Sequence, residues 1–276
     1  MKIITDTSSL ISPIDGEKIG VKVLPVTVTI NGLTYRDYLD ISTHHFIDMI
    51  NLGGTPMTSQ PAIGEVIETY ESYQDDILAI TIADGLSGTY VNAVGAKNSI
   101  NNNERIHVVN SETLAGCLKY IVEKASSLNQ IGFNAHEIKQ QLQETIKSSV
   151  SFVIPSNFEF LARSGRLTPI AAKIAGMLKI VPVLTQTKDR TRIEPFTIKR
   201  TVNKAIQSII NHLHKLNVDD SYLIFVSHAR ADSLANKAMT MLKNEFKNTL
   251  IELLELSPSL STHGGPGCIV IQAIKK

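Results

Sequence analysis

The chain has 276 residues, 43% of them hydrophobic, enough for two domains or one large one with a sizeable aliphatic core. Charged residues make up 19% and aromatics 5%, and tryptophan is absent, so the interior has to be built from Ile, Leu, Val and Ala. Lys+Arg 27 against Asp+Glu 26 leaves a formal charge of +1, and no base-stacking aromatic platform stands out, which argues against a nucleic-acid partner.

In chain order, Lys2 to Thr5 reads as a short strand ending in the polar turn Asp6-Thr7-Ser8-Ser9. Val21 to Ile30 is rich in β-branched residues, and Asn31-Gly32 before Leu33-Thr34-Tyr35 predicts a hairpin, because both turn residues need positive φ. Pro25 lacks a backbone donor and favours an edge position. Ser42 is placed to cap a short helix carrying Phe46, Ile47 and Ile50. Thr58-Ser59-Gln60-Pro61 precedes a helix with Ile63, Val66, Ile67, Tyr70 and Tyr73 at helical spacing, and either hydroxyl suits its cap.

Ile77 to Ala83 is a continuous apolar run, the pattern of a central parallel strand, and it empties into Asp84-Gly85-Leu86-Ser87-Gly88-Thr89 ahead of another helix. Arg105 to Val109 is the next strand, and Leu114 to Leu128 a well-patterned helix. Strand, polar turn and helix in repetition predict a doubly wound, mainly parallel α/β sheet. The rhythm changes near Ser148–Ser151. Six strand candidates follow, Val150–Ile154, Ile180–Leu184, Ile193–Lys199, Tyr222–Val226, Leu250–Leu256 and Cys268–Ile274, with helices near Ile170–Leu178, Val202–Leu216 and Ser233–Phe246. The turn Gln186–Arg192 joins two strands with no helix between them, so this half is expected to be α+β in character, with a mixed six-stranded sheet. The predicted division is 1–149 and 150–276.

Cys117 and Cys268 lie far apart with no CxxC, which excludes a disulfide framework and a Cys-rich zinc site. The first residues lack the apolar core of a signal peptide, and no apolar stretch approaches the ~20 residues of a membrane span. The expectation is a soluble cytoplasmic protein.

Three segments carry candidate chemistry. Ser87 sits between a buried strand and a helix, where it can cap the helix, help bind an anion or act as a nucleophile. A hydrolase elbow needs Gly two residues after the Ser, but Thr89 stands there. Thr58-Ser59-Gln60-Pro61 has the same hydroxyl chemistry, and Asp6-Thr7-Ser8 offers a third wall to a shared crevice. Asp6 has no partner carboxylates at ligand spacing, so no metal site is expected. Thr262-His263-Gly264-Gly265-Pro266-Gly267-Cys268 is read as a loop of special dihedrals, in which His263 is either an exposed turn residue or a donor to a carboxylate. Between residues 160 and 200 stand nine Lys/Arg and two Asp/Glu, either a solvated face or a patch for phosphate or an acidic partner.

Taken in order, Ile4-Thr5-Asp6-Thr7-Ser8, Tyr35-Arg36-Asp37, Thr58-Ser59-Gln60-Pro61, Leu86-Ser87-Gly88-Thr89-Tyr90, Arg163-Ser164-Gly165-Arg166 and Thr262 to Gly267 closely resemble the DegV family of bacterial fatty-acid-binding proteins. The resemblance covers almost the whole chain. It implies a Rossmann-like first domain with an inserted hairpin, a mixed-sheet second domain and a long-chain fatty acid in a tunnel at their junction. Thr58, Ser87 and His263 would meet the carboxylate, with Ser59, Gly88, Thr89 and Gly264 in the same ligand-binding motifs. Arg163 would stand near the mouth, and Arg166 would point toward a partner. The resemblance further implies a carrier that is not itself an enzyme and holds no cofactor or metal. A separate fatty acid kinase subunit would use ATP to phosphorylate the bound carboxylate, and an acyltransferase of phospholipid synthesis would consume the acyl phosphate. The alternatives are an acyl-ester hydrolase using Ser87 and His263, or a lipid sensor that docks another protein.

Overall fold

The computed structural model describes residues 1–174 and 179–276. The first half opens with β1 (Lys2–Asp6), a 3-10 turn at Thr7–Ser9, α1 (Pro13–Lys18) and β2 (Val21–Leu24). Then come β3 (Thr27–Ile30), β4 (Leu33–Arg36), α2 (Thr43–Asn51), β5 (Met57–Ser59) and α3 (Ile63–Glu71). It continues through β6 (Ile77–Thr81), α4 (Thr89–Asn98), β7 (Ile106–Asn110), α5 (Ala115–Gln130) and α6 (Ala135–Ser148).

Strands β1, β2, β6 and β7 form a four-stranded, all-parallel sheet in the order β2-β1-β6-β7. Every residue of β6 is buried, as its unbroken apolar run requires of an inner strand. Alternation along β1 sends Ile3 into a core with α5 and α6, and Ile4 into a core with α3 and α4, so helices cover both faces. The sheet is doubly wound.

The β-rich run from Val21 divides at Pro25. Val21–Leu24 forms the edge of the parallel sheet, while Thr27–Ile30 leaves to pair antiparallel with β4 and β5 in a separate three-stranded sheet. The cause is local: Pro25 has no N–H, and the Val26 N–H donates to Thr7 Oγ1 at 3.1 Å instead of to a strand. The Asn31-Gly32 hairpin is present, both residues having positive φ. In this half two helices among the described residues have no counterpart in the sequence reading, α1 and α6, although Asn134 and Glu137 form a full capping box at the start of α6.

The second half contains β8 (Val150–Ile154), α7 (Phe158–Arg163), α8 (Pro169–Ile174), β9 (Val181–Gln186), β10 (Ile193–Lys199) and α9 (Val202–Lys215). It ends with β11 (Tyr222–His228), α10 (Asp232–Glu245), β12 (Leu250–Glu255), α11 (Pro258–Gly264) and β13 (Ile269–Lys275). Its six strands form one mixed sheet, ordered β10-β9-β8-β13-β11-β12, in which only β11 and β12 are parallel neighbours. The helix expected over Ile170–Leu178 is seen as α8, and its residues 175–178 lie outside the described residues.

Phe152, Ile224, Val226 and Ile271 face a core with α9 and α10. Leu223, Phe225 and Ile274 face the other way, into the core that holds Cys117, Leu118 and Ile121 of α5. Helix α5 is thus shared by the two sheets. Gly116 permits that contact, because a Cβ there would stand 2.4 Å from Phe225 Cγ. No helix among the described residues is long and apolar enough to cross a membrane.

Candidate functional site

In an open parallel sheet, ligands bind beyond the carboxyl ends of the strands where the strand order reverses, here between β1 and β6. Asp6 holds these two ends together. Its Oδ1 accepts from Ser8 N–H at 2.8 Å and its Oδ2 from Ile82 N–H at 3.3 Å, and burial pushes its carboxyl above the ordinary range. It acts as a cap between strands. Among the described residues, no group of three or more His, Cys, Asp or Glu is arranged to hold a metal ion.

A polar pocket opens at this crevice, walled by Ser8, Thr58, Gln60, Ser87, Arg166 and His263. Thr58 comes from β5, where strand alternation turns it toward the pocket while Met57 and Ser59 are exposed. The Thr58 hydroxyl lies 3.0 Å from His263 Nε2. Ser87 Oγ lies 2.8 Å from Thr89 Oγ1 and accepts from Thr89 N–H at 3.3 Å, which fixes the turn ahead of α4. His263 occupies the last turn of α11, a helix capped by Ser257 with Pro258 at its first position. Burial, with the nearby Arg166 charge second, pushes the His263 imidazole down to about 4, so the ring is neutral at pH 7.

Arg166 Nε donates to Leu86 O at 3.0 Å, and its Nη1 bonds Ser164 O. Burial lowers its pKa, yet the guanidinium keeps its charge. Arg163 is exposed, with its guanidinium 4.8 Å from the centroid of the Phe160 ring. It lines the outer mouth with Thr55, Met57 and Thr58.

Behind the polar pocket lies an apolar chamber that shares Ile82, Leu86, Leu260, Arg166 and His263 with it. Leu114, Val153, Leu161, Ile193, Leu256 and Val270 supply most of the rest of its wall, from segments on both sides of residue 150. It contains about 580 Å³ of non-atom space, part of it open to solvent. One end of the combined cavity can bind an anion through hydroxyls, an imidazole and a guanidinium. The other can bury only hydrocarbon.

The profile of the DegV family, described as one of uncharacterised proteins, matches residues 1–276. The chain belongs to the DegV family. A DegV domain-containing protein of Staphylococcus aureus (strain N315) is 30% identical over 278 residues, covering 99% of this chain and 98% of that one. The crystal structure of DegV, a fatty acid binding protein from Bacillus subtilis, superposes with a TM-score of 0.86 at 26% identity, over 100% of this chain and 99% of that chain. A DegV family protein from Eubacterium eligens, solved loaded with heptadecanoic acid, has the same fold, with a TM-score of 0.86 at 21% identity over 100% of both chains.

Several motif residues of this DegV chain stand elsewhere than the sequence suggests. Neither Thr58 nor Ser59 caps α3, whose N-cap is Ala62 with no side-chain bond, because both hydroxyl residues are engaged in β5. Ser59 points away from the pocket. Gly88 and Thr89 form the N-terminus of α4 and bring no side chain into the pocket wall, although a Cβ on Gly88 would stand 2.9 Å from Gln60 Nε2. Gly264 lines the chamber and packs on Cys268, whose sulfur would lie 2.4 Å from a Cβ there. His263 belongs to a helix, with the glycine loop following it.

Arg166, expected to point toward a partner, turns inward to the pocket wall, while Arg163 is exposed at the outer mouth. Both precede α8, and the hydrogen bond to Leu86 O draws in the one nearer the β6 turn. The sequence reading passed over the apolar wall, Gln60 as a pocket residue, and Ser259. Gln60 lies within a recognised motif, and Ser259 follows the Ser257-Pro258 helix start. The wall has no local signal, being assembled from distant segments.

Proposed function

We propose that this chain binds a long-chain fatty acid, with its carboxylate at Thr58, Ser87, His263 and Arg166 and its tail in the apolar chamber. The carrying observation is the continuity of the polar pocket with that chamber through His263, Arg166, Leu86 and Leu260. A C16 tail offers a gross ~12 kcal/mol at ~0.8 kcal/mol per CH₂. A hydrogen bond to a charged group contributes ~1.5–3 kcal/mol. The tail therefore supplies most of the affinity and the head group sets the orientation. In this reading the chain has two domains, 1–149 and 150–276, with the ligand tunnel at their junction.

The carboxylate lies at the mouth, where a separate ATP-dependent kinase subunit would reach it. One carboxylate oxygen attacks the γ-phosphorus of ATP, the bond to ADP breaks, and an acyl phosphate remains for an acyltransferase of phospholipid synthesis. The carrier is not catalytic, and the exposed Arg163 beside the mouth gives the kinase subunit a charged contact. The two buried, free cysteines fit a reducing, cytoplasmic location. A hydrolase using Ser87 and His263 fits less well, because among the described residues the hydrogen bond of the His263 ring goes to Thr58.

Protein purified from bacteria is expected to release a long-chain fatty acid on denaturing extraction, and delipidated protein to rebind one on titration. Absence of both from folded protein overturns the reading. Turnover of an activated acyl ester that Ser87→Ala abolishes would favour the hydrolase instead.

A further inference from the structure

Arg166 and His263 line three spaces at once: the inner polar pocket, the apolar chamber and the outer mouth. A head group at this junction has two polar directions open to it, and they differ in charge. The inner pocket adds Ser8, Gln60, Ser87 and Ser259, all neutral. The mouth adds Arg163, and among the described residues no acid lines either space. Two hydroxyls of the mouth are already committed, Ser164 Oγ donating to Leu161 O at 2.6 Å and Thr262 Oγ1 to Pro258 O at 3.0 Å. Beyond Thr55 and the shared Thr58, what the mouth offers an anion is its two guanidiniums.

Arg163 is positioned by a ring. Its guanidinium lies 4.8 Å from the Phe160 centroid, a placement that leaves its N–H edge free for an anion. Phe160 rests in turn on the glycine loop after α11. Gly265 has φ +75°, and a Cβ there would stand 2.5 Å from Phe160 Cδ2. The motif that supplies His263 thus also seats the ring beneath Arg163. Arg166 is fixed by Nε on Leu86 O and Nη1 on Ser164 O, and its Nη2 enters no hydrogen bond among the described residues.

Ser87 lines the inner pocket and not the mouth, so a carboxylate that meets it keeps the mouth on its solvent side. In an acyl phosphate the phosphorus stands one bridging oxygen beyond the acyl carbon and brings a second negative charge near neutral pH. Neutral hydroxyls suit a singly charged carboxylate, whereas a guanidinium fork matches two phosphoryl oxygens at once. We propose that the outer mouth is a phosphoryl subsite, in which Arg163 and Arg166 hold the terminal phosphate of a long-chain acyl phosphate whose tail stays in the chamber. This inference rests on the fatty-acid reading above and concerns the ligand after transfer. Arg163 serves the kinase subunit before the transfer and the phosphoryl group after it.

The test is titration of delipidated protein at pH 8 with hexadecanoate and with 2-oxoheptadecylphosphonate, the non-hydrolysable methylene analogue of hexadecanoyl phosphate. Wild type is expected to bind the phosphonate at least as tightly as hexadecanoate. Arg163→Ala should weaken phosphonate binding about tenfold and hexadecanoate binding by no more than about twofold. Arg163→Lys, which keeps the charge and loses the fork, should fall between wild type and Arg163→Ala for the phosphonate. Added salt should weaken phosphonate binding more than hexadecanoate binding. Equal losses for both ligands in Arg163→Ala, or none for either, overturn the inference. So does a phosphonate loss that follows Ser259→Ala and spares Arg163→Ala, which puts the phosphoryl group in the inner pocket. Wild type that binds hexadecanoate but not the phosphonate overturns this inference alone. If wild type binds neither, the fatty-acid reading fails and this inference falls with it.

Discussion

The polar pocket takes its groups from short segments next to regular structure: the turns after β1 and β6, the edge strand β5 and the end of α11. The apolar chamber is walled by single side chains from the start of α5, from β8, α7, β10 and β13, and from the stretch between β12 and α11. The first region is chemically specific and made of few residues that local sequence singles out. The second is chemically uniform, and only its shape matters. In the proposed fatty-acid reading, affinity and orientation therefore reside in different parts of the molecule, and each can be altered separately.

The sharpest separation comes from placing a charge in the chamber. Val153 is only partly buried on β8, so Val153→Asp is expected to fold, its carboxylate reaching water through the cavity. A fatty-acid tail would seal that charge away from water, at about 3–5 kcal/mol for an uncompensated buried ion. Titration should show at least a hundredfold weaker binding with an unchanged circular dichroism spectrum. Unaltered affinity would mean that the tail lies elsewhere.

Smaller effects are expected at the head group. Arg166→Ala removes the inward guanidinium and should cost about 1.5–3 kcal/mol of ligand affinity. Arg163→Ala, at the exposed mouth, should change ligand affinity by less than about 0.5 kcal/mol. It should instead weaken kinase-coupled acyl phosphate formation, and more so at high salt, since exposed charges are screened. Direct binding and coupled phosphorylation measured on both variants decide the assignment. The reverse ranking in the binding assay would restore the outward role of Arg166.

The smallest effect is a pH dependence of stability, followed by urea unfolding between pH 4 and 7.5. His263 ordinarily titrates at 6.5 but in the folded chain at about 4. As pH falls through that window the unfolded chain takes the proton first, so stability drops on acidification. Asp37 works in the opposite direction. Raised from 3.8 to about 6, it holds a proton in the folded chain that the unfolded chain has released, so its contribution is lost as pH rises through that range. His263→Gln is therefore expected to gain on wild type as pH falls toward 4. Asp37→Asn should gain on wild type as pH rises from about 4 to about 6 and hold that gain above it. Differences from wild type that do not vary with pH would show that neither group is shifted in the folded chain.

Most element types were legible because their signals are local. The burial of β6, the Asn31-Gly32 turn, the Ser42 cap and the antiparallel β9–β10 hairpin each follow from a few adjacent residues. The polar motifs could be found for the same reason: Thr58, Ser87 and His263 stand in short, unusual strings. Facing direction is another matter. Thr58 and Ser59 are chemically alike and adjacent, and only the pairing of β5 with β3 sends one inward and the other to solvent. Arg163 and Arg166 face different ways because the Arg166 guanidinium meets Leu86 O and that of Arg163 lies over Phe160.

From the sequence alone came the α/β character, the change of rhythm near residue 150 and the residues able to meet an anion, all properties of neighbouring side chains. Tertiary structure alone decided the apolar chamber, the sharing of α5 between two sheets and the burial of Asp37. Each of these joins residues far apart in the chain. Asp37 in sequence is one acid in a charged turn, and becomes a buried carboxylate only when the β1 turn and α11, more than two hundred residues apart, close over it.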